Sequence, residues 1–278
     1  PTNTTRAVFD TGSSVTATGN IDAEATQDVD IKTDGKGDAE AEESLAIGAV
    51  FAMTSIGDVV LANTAGSLTT STGNVNLKSR SRTKSQTNGK ASASGAADKG
   101  KNVDQQADAQ KTAAKDQKNT GSGKENPSSK TSDGPIAVAA AISYSVSDAN
   151  VAATVSTGGS ISAVNGTITL SSLVNYDENT DADGQAVKAG SFGLGAAAAV
   201  TRADLVNLAE VQQGGSIAAD GITLETGMQD VSGDKQHAFT SKAKSGAGTD
   251  SGIGVAGAFA LTISTTDVRS TIAAGDPT

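Results

Sequence analysis

The 278-residue chain has no cysteine or tryptophan, 32 glycines and only 3% aromatic residues, and its formal net charge is −10. Large apolar side chains are too scarce to fill a wide core, which argues against a conventional globular domain. The acidic balance disfavours nucleic acid as a partner, because phosphate binding needs a basic face, and no apolar run is long enough to insert across a membrane.

One short apolar phrase recurs four times along the chain. In each copy glycine or alanine is interspersed with larger aliphatic residues, and the copies cover residues 47–53, 136–142, 194–200 and 253–259. An internal repeat determines the whole architecture, so it takes precedence over any local motif. The repeat predicts an elongated scaffold that stacks on itself.

Each full unit continues from this phrase through an aspartate turn, a valine-rich strand, a Gly-Ser turn and two short strands. The step from serine to an aliphatic residue marks the period, and it falls at Ser14, Ser67, Ser160 and Ser216. The spacings are 53, 93 and 56 residues, so one copy of the unit carries an insertion. The chain begins in the back part of a unit and ends in the front part of one, as expected of a segment of a longer array.

The sequence therefore predicts an all-β fold, a parallel β-helix or β-solenoid with right-handed connections, built from units of about 55 residues. Because such a unit is long for one coil, we expect it to make two. Residues 1–83 and 133–278 would form the solenoid, and residues 84–132 a polar, basic, mobile insertion. A chain of small β-sandwiches is the alternative, which the scarcity of aromatic residues disfavours.

The insertion stands out by its charge, since residues 78–132 hold 12 of the 21 lysine and arginine residues and five acidic ones. At its start, basic residues alternate with serine and threonine, which indicates a strand with one basic face. These basic residues are Lys78, Arg80, Arg82 and Lys84. They form either a solvated edge strand that discourages unwanted pairing or an electrostatic latch onto the acidic solenoid or an acidic neighbour.

A carboxylate-rich segment lies between the second and third copies of the phrase. Asn179, Asp181 and Asp183 are spaced two residues apart and are followed by Gly184. Oxygen ligands at this spacing converge on one hard cation when a glycine permits a sharp turn. The segment predicts a calcium site, with a solvated acidic turn as the alternative, since Gly190 stands where an EF-hand loop has its glutamate. No other cofactor is expected.

Catalytic chemistry finds little support in the sequence. His237 is the only histidine, and without cysteine it cannot complete a usual zinc site. Glycosidase or lyase chemistry needs two paired carboxylates in a cleft, and nothing in the sequence singles out such a pair. We therefore expect no enzymatic activity, and a β-helix polysaccharide lyase or hydrolase is the least favoured alternative.

The last copy of the phrase shows most plainly that its strand has two unlike faces. Ile253, Val255 and Ile263 fall on one face, and Gly254 and Ala256 on the other. We expect the large side chains to point into the core, so that Val255→Asp or Ile263→Asp unfolds a coil by burying an unpaired charge. The small face is then either exposed to solvent or packed closely against a second layer or a neighbouring chain.

This order of elements resembles the β-strand-repeat regions of very large secreted bacterial proteins, including filamentous-haemagglutinin-like adhesins. The resemblance rests on the glycine-rich strand at 193–196 and 252–255, the aspartate turn, and the Gly-Gly-Ser-Ile and Ile-Thr-Leu steps. It covers nearly the whole chain except residues 84–132. It implies a stiff structural segment of an extracellular filament or giant cell-surface adhesin, with like subunits or neighbouring repeats as partners and no catalytic residues.

Segments that interrupt the repeat suggest a second function. Residues 78–132 and 171–190 depart from the pattern, and an adhesive module would use such excursions to bind a glycan or a host protein. A fibre instead predicts axial or lateral contacts between like units through open strand edges. The two functions differ in whether specificity lies in the repeat or in the segments that break it.

Overall fold

The computed structural model describes residues 1–41, 45–95, 136–249 and 252–273. Within these residues every regular element is a β-strand. In chain order the strands are β1 (Thr2–Phe9), β2 (Ser14–Ala17), β3 (Ile21–Ala41), β4 (Leu45–Thr64), β5 (Ser67–Thr70), β6 (Val75–Gly95), β7 (Ile136–Val155), β8 (Ser160–Ala189), β9 (Phe192–Val211), β10 (Ser216–Met228), β11 (Ala238–Thr249) and β12 (Ile253–Ile272).

The strands form two sheets, and within each sheet all neighbouring strands pair in parallel. Sheet A has the order β1-β4-β7-β9-β12. Sheet B contains the remaining strands in the order β2-β5-β8-β6-β3, with β10 and β11 both paired to β8. The predicted all-β, parallel architecture is confirmed, and it is compatible with a β-solenoid.

Consecutive units stack so that equivalent residues of the repeat pair with each other. Ser14 pairs with Ser67, Ser67 with Ser160, and Ser160 with Ser216 along sheet B. Each unit adds a single layer to both sheets, so the expectation of two coils per unit is wrong. The physical reason is strand length: β4 spans 20 residues and β6 spans 21, so one pass along each sheet uses up the unit.

The two sheets face each other, because the chain reverses direction between a sheet A strand and the sheet B strand that follows it. After β4, for example, β6 runs back across β4. Ser79 Oγ accepts a hydrogen bond from the Ala62 backbone N–H, and Thr87 donates to Thr54 further along. The side chains between the two sheets therefore form the core.

Turns of one kind join sheet A to sheet B after β1, β7 and β9. In each, a backbone hydrogen bond spans three residues and a glycine has a φ of 80–81°, in the left-handed region where a side chain is strained. The glycines are Gly12, Gly158 and Gly214. The turns predicted from the Gly-Ser steps are confirmed at these places.

The core changes in composition along the strands. Near the turns it is built from large aliphatic side chains, among them Leu68, Val75, Leu77, Ile161, Ile168 and Leu170. At the opposite end it is built almost wholly from alanine, including Ala46, Ala91, Ala93, Ala137, Ala139, Ala186 and Ala199. We refer to these as the aliphatic end and the alanine end.

Between the two ends the core combines apolar residues, such as Ile56, Tyr176 and Leu205, with a layer of polar ones. Thr87 donates a hydrogen bond to Thr54 at 2.6 Å, and Thr54 donates to Thr33 at 2.8 Å. Two layers further on, Thr201 donates to Thr180 at 2.8 Å. Because these hydroxyls satisfy one another across the two sheets, the structure can bury a polar layer without a large desolvation cost.

The alanine end is thin because the backbones of the two sheets approach closely. A Cβ atom at Gly48 would lie 2.1 Å from the carbonyl oxygen of Ser92, and one at Gly195 would lie 2.1 Å from that of Gly246. Only glycine fits at such positions. One of the two expectations for the small face, close packing against a second layer, is thereby confirmed.

The large side chains of the repeated phrase point away from the core, so the prediction that they fill it is wrong. Ile47 and Phe51 are 59% and 63% exposed, and Ile142 on a central strand is also exposed. Val255 and Ile263 share this outer face and are exposed as well. The reason is the short distance between the sheets, which admits alanine and glycine but no larger side chain.

Two predicted excursions are strands. Residues 84–95 continue β6 with their alternation intact, so the insertion does not begin at residue 84. The rest of it, residues 96–132, lies outside the described residues. Residues 171–189 belong to β8, a strand of 30 residues, and not to a loop. In both cases a strand with a polar outer face and small inner residues has the composition of a loop.

Candidate interaction surfaces

The outer face of sheet B carries its charges in columns, one column per strand. The charged residues at outward positions are mainly acidic on β3, basic on β6, acidic on β8 and basic on β11. The column residues are Asp22, Glu24, Asp28, Asp30, Asp34, Asp38 and Glu40 on β3, Lys78, Arg80, Arg82, Lys84 and Lys90 on β6, Asp177, Asp181 and Asp183 on β8, and Lys242 and Lys244 on β11. Opposite charges thus face each other across neighbouring strands, which favours this register.

The four residues predicted as an interaction site lie inside this pattern. They are Lys78, Arg80, Arg82 and Lys84. The edge-strand interpretation is wrong, because β6 pairs with β3 on one side and with β8 on the other. Arg82 forms an ion pair with Asp28, and Arg80 Nη1 lies 3.5 Å from Glu24 Oε1. Exposed pairs of this kind contribute about 0.2–1 kcal/mol each, and a latch onto a separate acidic neighbour stays a prediction.

The residues predicted to bind calcium lie in a row along β8. Asn179, Asp181 and Asp183 occupy alternate outward positions, and Asn179 Nδ2 donates to Asp181 Oδ2 at 2.6 Å. Gly184 faces the core, where a Cβ atom would lie 1.8 Å from the Ala196 carbonyl oxygen. The expected loop is therefore replaced by a strand, in which alternate residues are about 6.6 Å apart. Calcium binding itself stays a prediction.

In the part of the chain that the structure describes, no three histidine, aspartate or glutamate side chains converge closely enough to hold a metal ion. The acidic columns of sheet B explain this, because consecutive carboxylates along one strand are held apart by the strand geometry, and those on neighbouring strands alternate with basic residues.

A buried carboxylate in the polar layer connects four strands. Asp58 on β4 accepts hydrogen bonds from Asn3 Nδ2 at 3.0 Å, from Thr83 Oγ1 at 2.7 Å and from the Tyr176 hydroxyl. Burial and the neighbouring Asp58 raise the pKa of Tyr176, so this hydroxyl keeps its proton. Three donors compensate for the buried charge, and the cluster serves as a structural link between β1, β4, β6 and β8.

A second buried carboxylate has less compensation. Ser145 Oγ donates to Glu178 Oε2 at 3.4 Å, and among the described residues Glu178 Oε1 has no hydrogen-bond partner. Ser85, which pairs with Glu178 in the ladder, also has an unpartnered hydroxyl. Burial raises the pKa of Glu178 to about 7. The group is therefore a source of pH-dependent stability.

The single histidine lies where the pairing of strands in sheet B is interrupted. Residues 229–237, between β10 and β11, leave the sheet, whereas β8, with which both strands pair, continues without a break. His237 Nδ1 accepts a hydrogen bond from the Tyr176 backbone N–H at 3.0 Å, and Asn175 Nδ2 donates to the Gln229 carbonyl at 3.3 Å. Burial lowers the pKa of His237. These contacts give His237 a structural role.

The outer face of sheet A at the alanine end is apolar, and sequence analysis missed it because it assigned these residues to the core. We call this surface the apolar field. It comprises Leu45, Ile47, Ala49, Phe51 and Met53 on β4, Ile136, Val138, Ala140, Ile142 and Tyr144 on β7, Phe192, Leu194, Ala196, Ala198 and Val200 on β9, and Ile253, Val255, Gly257, Phe259 and Leu261 on β12. None of these residues is charged. A contiguous surface of this kind is typical of a binding interface.

Both ends of the ladder expose strand edges. The edge strands are β1 and β12 in sheet A, with β2 and β3 at one side of sheet B and β10 and β11 at the other. On β12 the residues at core positions are also uncovered: Val268 is 47% and Ile272 57% exposed. In the layers before it, the residues in register with Ile272 are Val211 and Val155, and both are buried.

Comparison of the chain with protein-family models, with curated proteins and with solved structures gives no match. The described residues include no helix with the length and hydropathy needed to cross a membrane. Three surfaces of the described residues are open to partners: the charge columns, the apolar field and the open ends of the ladder.

Proposed function

We propose that this chain is a structural segment of a stacked β-solenoid scaffold whose axial neighbours are like units. The observation that carries the proposal is the stacking of like on like through successive layers of both sheets, as in the series Ser14, Ser67, Ser160 and Ser216. In such an array each layer covers the core of the layer before it, and the whole gains length and stiffness.

The exposed core residues of β12 support the addition of a further layer of the solenoid on this strand. A further layer of the same kind would bury Val268 and Ile272, as Val211 is buried within the ladder. It would also pair with the free N–H and C=O groups of the edge strand, which readily accept an added strand. The neighbour is another unit of the same protein or a second copy of the chain.

The charge columns support a neighbour of the same kind in a head-to-tail orientation. One end of sheet B presents the mainly acidic β3, and the other presents Lys242 and Lys244 on β11. Lys242 pairs with Asp181, Asp181 with Asn88, and Asn88 with Asp34. Lys242 and Asp34 therefore occupy the same position along their strands at opposite ends of the sheet. A copy that continued this register would place Asp34 beside Lys242, so unlike charges would meet at the junction.

The resemblance to secreted repeat proteins supports a location outside a bacterial cell, in a filament or a giant cell-surface adhesin. The alternative of an adhesive module depended on excursions at 78–132 and 171–190. Residues 78–95 and 171–189 of these segments are strands of sheet B, which leaves the alternative with less support. A glycan or host protein as ligand would now have to be recognised mainly by residues 96–135.

The test compares an end variant, Val268→Lys with Ile272→Lys, with the wild-type chain. We expect the wild type to form rods that lengthen with concentration in negative-stain micrographs and in sedimentation velocity, and the end variant to remain short. Val164→Lys is the matched control, because Val164 is 61% exposed on β8 away from the open ends. Rods that persist in the end variant, or their absence from the wild type up to high micromolar concentration, would overturn the proposal.

A further inference from the structure

The apolar field contains rows of large and of small side chains, so its surface has ridges and a groove. Its residues form rows across the four strands, and the central row is small: Ala49, Ala140, Ala196 and Gly257. On one side lies a ridge of Ile47, Val138, Leu194 and Val255. On the other lies a row of Phe51, Ile142, Ala198 and Phe259, in which Ala198 leaves a gap on β9. A groove one residue wide therefore runs between one continuous and one interrupted row of large side chains.

We propose that this field packs face to face on the apolar field of a second copy of the chain, ridge into groove. A ridge-and-groove surface is complementary to itself when it is turned about a two-fold axis, which is the usual symmetry of homodimers. The two outer faces would lie about 10 Å apart, as stacked sheets do, with side chains from both interdigitating. The inference does not depend on axial stacking.

The size of the field fits such an interface. Four strands about 4.8 Å apart and nine residues of about 3.3 Å each cover roughly 19 by 30 Å, a flat footprint of nearly 600 Å². Ridges and groove raise the accessible area above that value, towards the ~800 Å² that each partner contributes to a standard interface. The footprint is already at the upper limit for the largest apolar patch of a typical monomer, about 300–600 Å².

The absence of charge selects the partner. The chain carries a net charge of −10, yet the field has no charged residue, so its partner has to be an equally uncharged, apolar surface. The same field on a second copy meets this requirement. Charges begin one row beyond the field, where Arg202 forms an ion pair with Asp204, so two paired fields would meet without burying an unpaired charge.

The chain's own residues 96–135 are a poorer occupant on grounds of sequence. They connect β6 to β7 and so join the sheets at Gly95 and Ile136, next to the field. However, Val103 is their only large apolar residue. A segment with one such side chain cannot fill a surface that presents fifteen of them, so covering the field would leave most of its apolar area without apolar contacts.

The experiment measures dimerisation by sedimentation equilibrium in the end-variant background, Val268→Lys with Ile272→Lys, which removes axial stacking. We expect a dimer there, and at least a 100-fold higher dissociation constant when Phe51→Lys and Ile142→Lys are added. Both positions are exposed, so circular dichroism and the urea midpoint should not change. Val164→Lys, an equally exposed position outside the field, should leave the dimer intact.

A groove variant separates specific packing from general stickiness. Ala140→Leu adds apolar surface but fills the groove, so it should weaken the dimer about tenfold or more. A dimer strengthened by Ala140→Leu, a monomer at 100 µM in the end-variant background, or a dimer that survives the two lysines would each overturn the inference. Flotation of the monomer with neutral phosphatidylcholine vesicles, abolished by the two lysines, would overturn it in favour of a lipid surface.

Discussion

The two ends of β7 place their large apolar side chains on opposite sides of sheet A. On β7, Val151 and Val155 are buried between the sheets at the aliphatic end. At the alanine end of the same strand, Ala139 is buried and Ile142 is exposed. The sheet is thus apolar on its inner side at one end, and on both sides at the other.

The difference shows that the distance between the sheets decides which side chains are buried. At the aliphatic end there is room for leucine and isoleucine, and the ordinary hydrophobic pattern holds. At the alanine end the backbones nearly touch, as at Gly48 and Gly195, and only the smallest residues fit between them. Volume, and not hydrophobicity, then assigns each residue to a face.

A large effect is expected from the loss of a leucine at the aliphatic end. Leu170 is fully buried and pairs in the ladder with Leu77 and Leu224. Leu170→Ala should lower the free energy of unfolding by about 2–5 kcal/mol, through lost burial and the cavity left behind. Urea denaturation of the dilute protein measures the change.

Leu45→Ala is the matched control from the alanine end, since Leu45 is exposed on the outer face of β4. It should change the free energy of unfolding by no more than ~0.5 kcal/mol, as surface substitutions usually do. Equal losses for the two variants would contradict the assignment of opposite sides to the two ends.

A slightly smaller effect is expected from pH, at the polar layer between the two ends. The pKa of Glu178 is raised by burial from its ordinary value of 4.5 to about 7. The folded state therefore holds this proton more tightly than the unfolded state, and the free energy of unfolding should fall as pH rises from about 4.5 to 7. The shift corresponds to about 3 kcal/mol over that window.

Glu178→Gln isolates this contribution. The pKa of His237 is lowered by burial, so His237 works in the opposite direction and destabilises the fold as pH falls. The informative quantity is thus the difference in urea midpoint between the wild type and Glu178→Gln across the pH range. A constant difference from pH 4 to pH 8 would show that Glu178 titrates normally.

Two adjacent alanines on β7 sharpen the comparison between the faces. Ala139 is fully buried between the sheets, whereas Ala140 points outward into the groove of the apolar field. Ala139→Leu should destabilise the fold by about 1–3 kcal/mol through overpacking, and Ala140→Leu should leave the urea midpoint of the dilute protein nearly unchanged. The reverse order would mean that the inner and outer faces had been exchanged.

The strands, turns and stacking could be predicted from the sequence, because each depends on local pattern and on the repeat. The series from Ser14 to Ser216 gave the register that the ladders adopt, and the Gly-Ser steps gave the turns. The choice of inner face could not be predicted in the same way. Alternation defines two faces of a strand but does not say which is buried, and here the answer depends on the distance to a second sheet.

The surfaces were harder to predict than the fold, and for a related reason. Taken alone, Lys78, Arg82 and Lys84 have the pattern of an edge strand. However, the residues one repeat earlier in the sequence, such as Asp28, are acidic, and these are the residues with which they pair in β3. The sequence therefore already contained that signal. The strand at 179–183 could not be told from a calcium loop, because outward polar residues and an inward Gly184 have the same composition as a turn.

The smallest expected effect is that of a charge placed on the outer face at Ile263. Sequence alternation assigned Ile263 to the core, where Ile263→Asp would unfold a coil. In the structure Ile263 is exposed on β12 and pairs in the ladder with Arg202. Ile263→Asp should therefore change the free energy of unfolding by no more than ~0.5 kcal/mol, with any gain coming from attraction to Arg202. Val151→Asp, at a fully buried position of sheet A, is the contrasting variant, because it buries an unpaired charge and should abolish the cooperative urea transition. If Ile263→Asp did the same, the outer face would have a partner in the folded chain and the apolar field would not be free to bind a second copy.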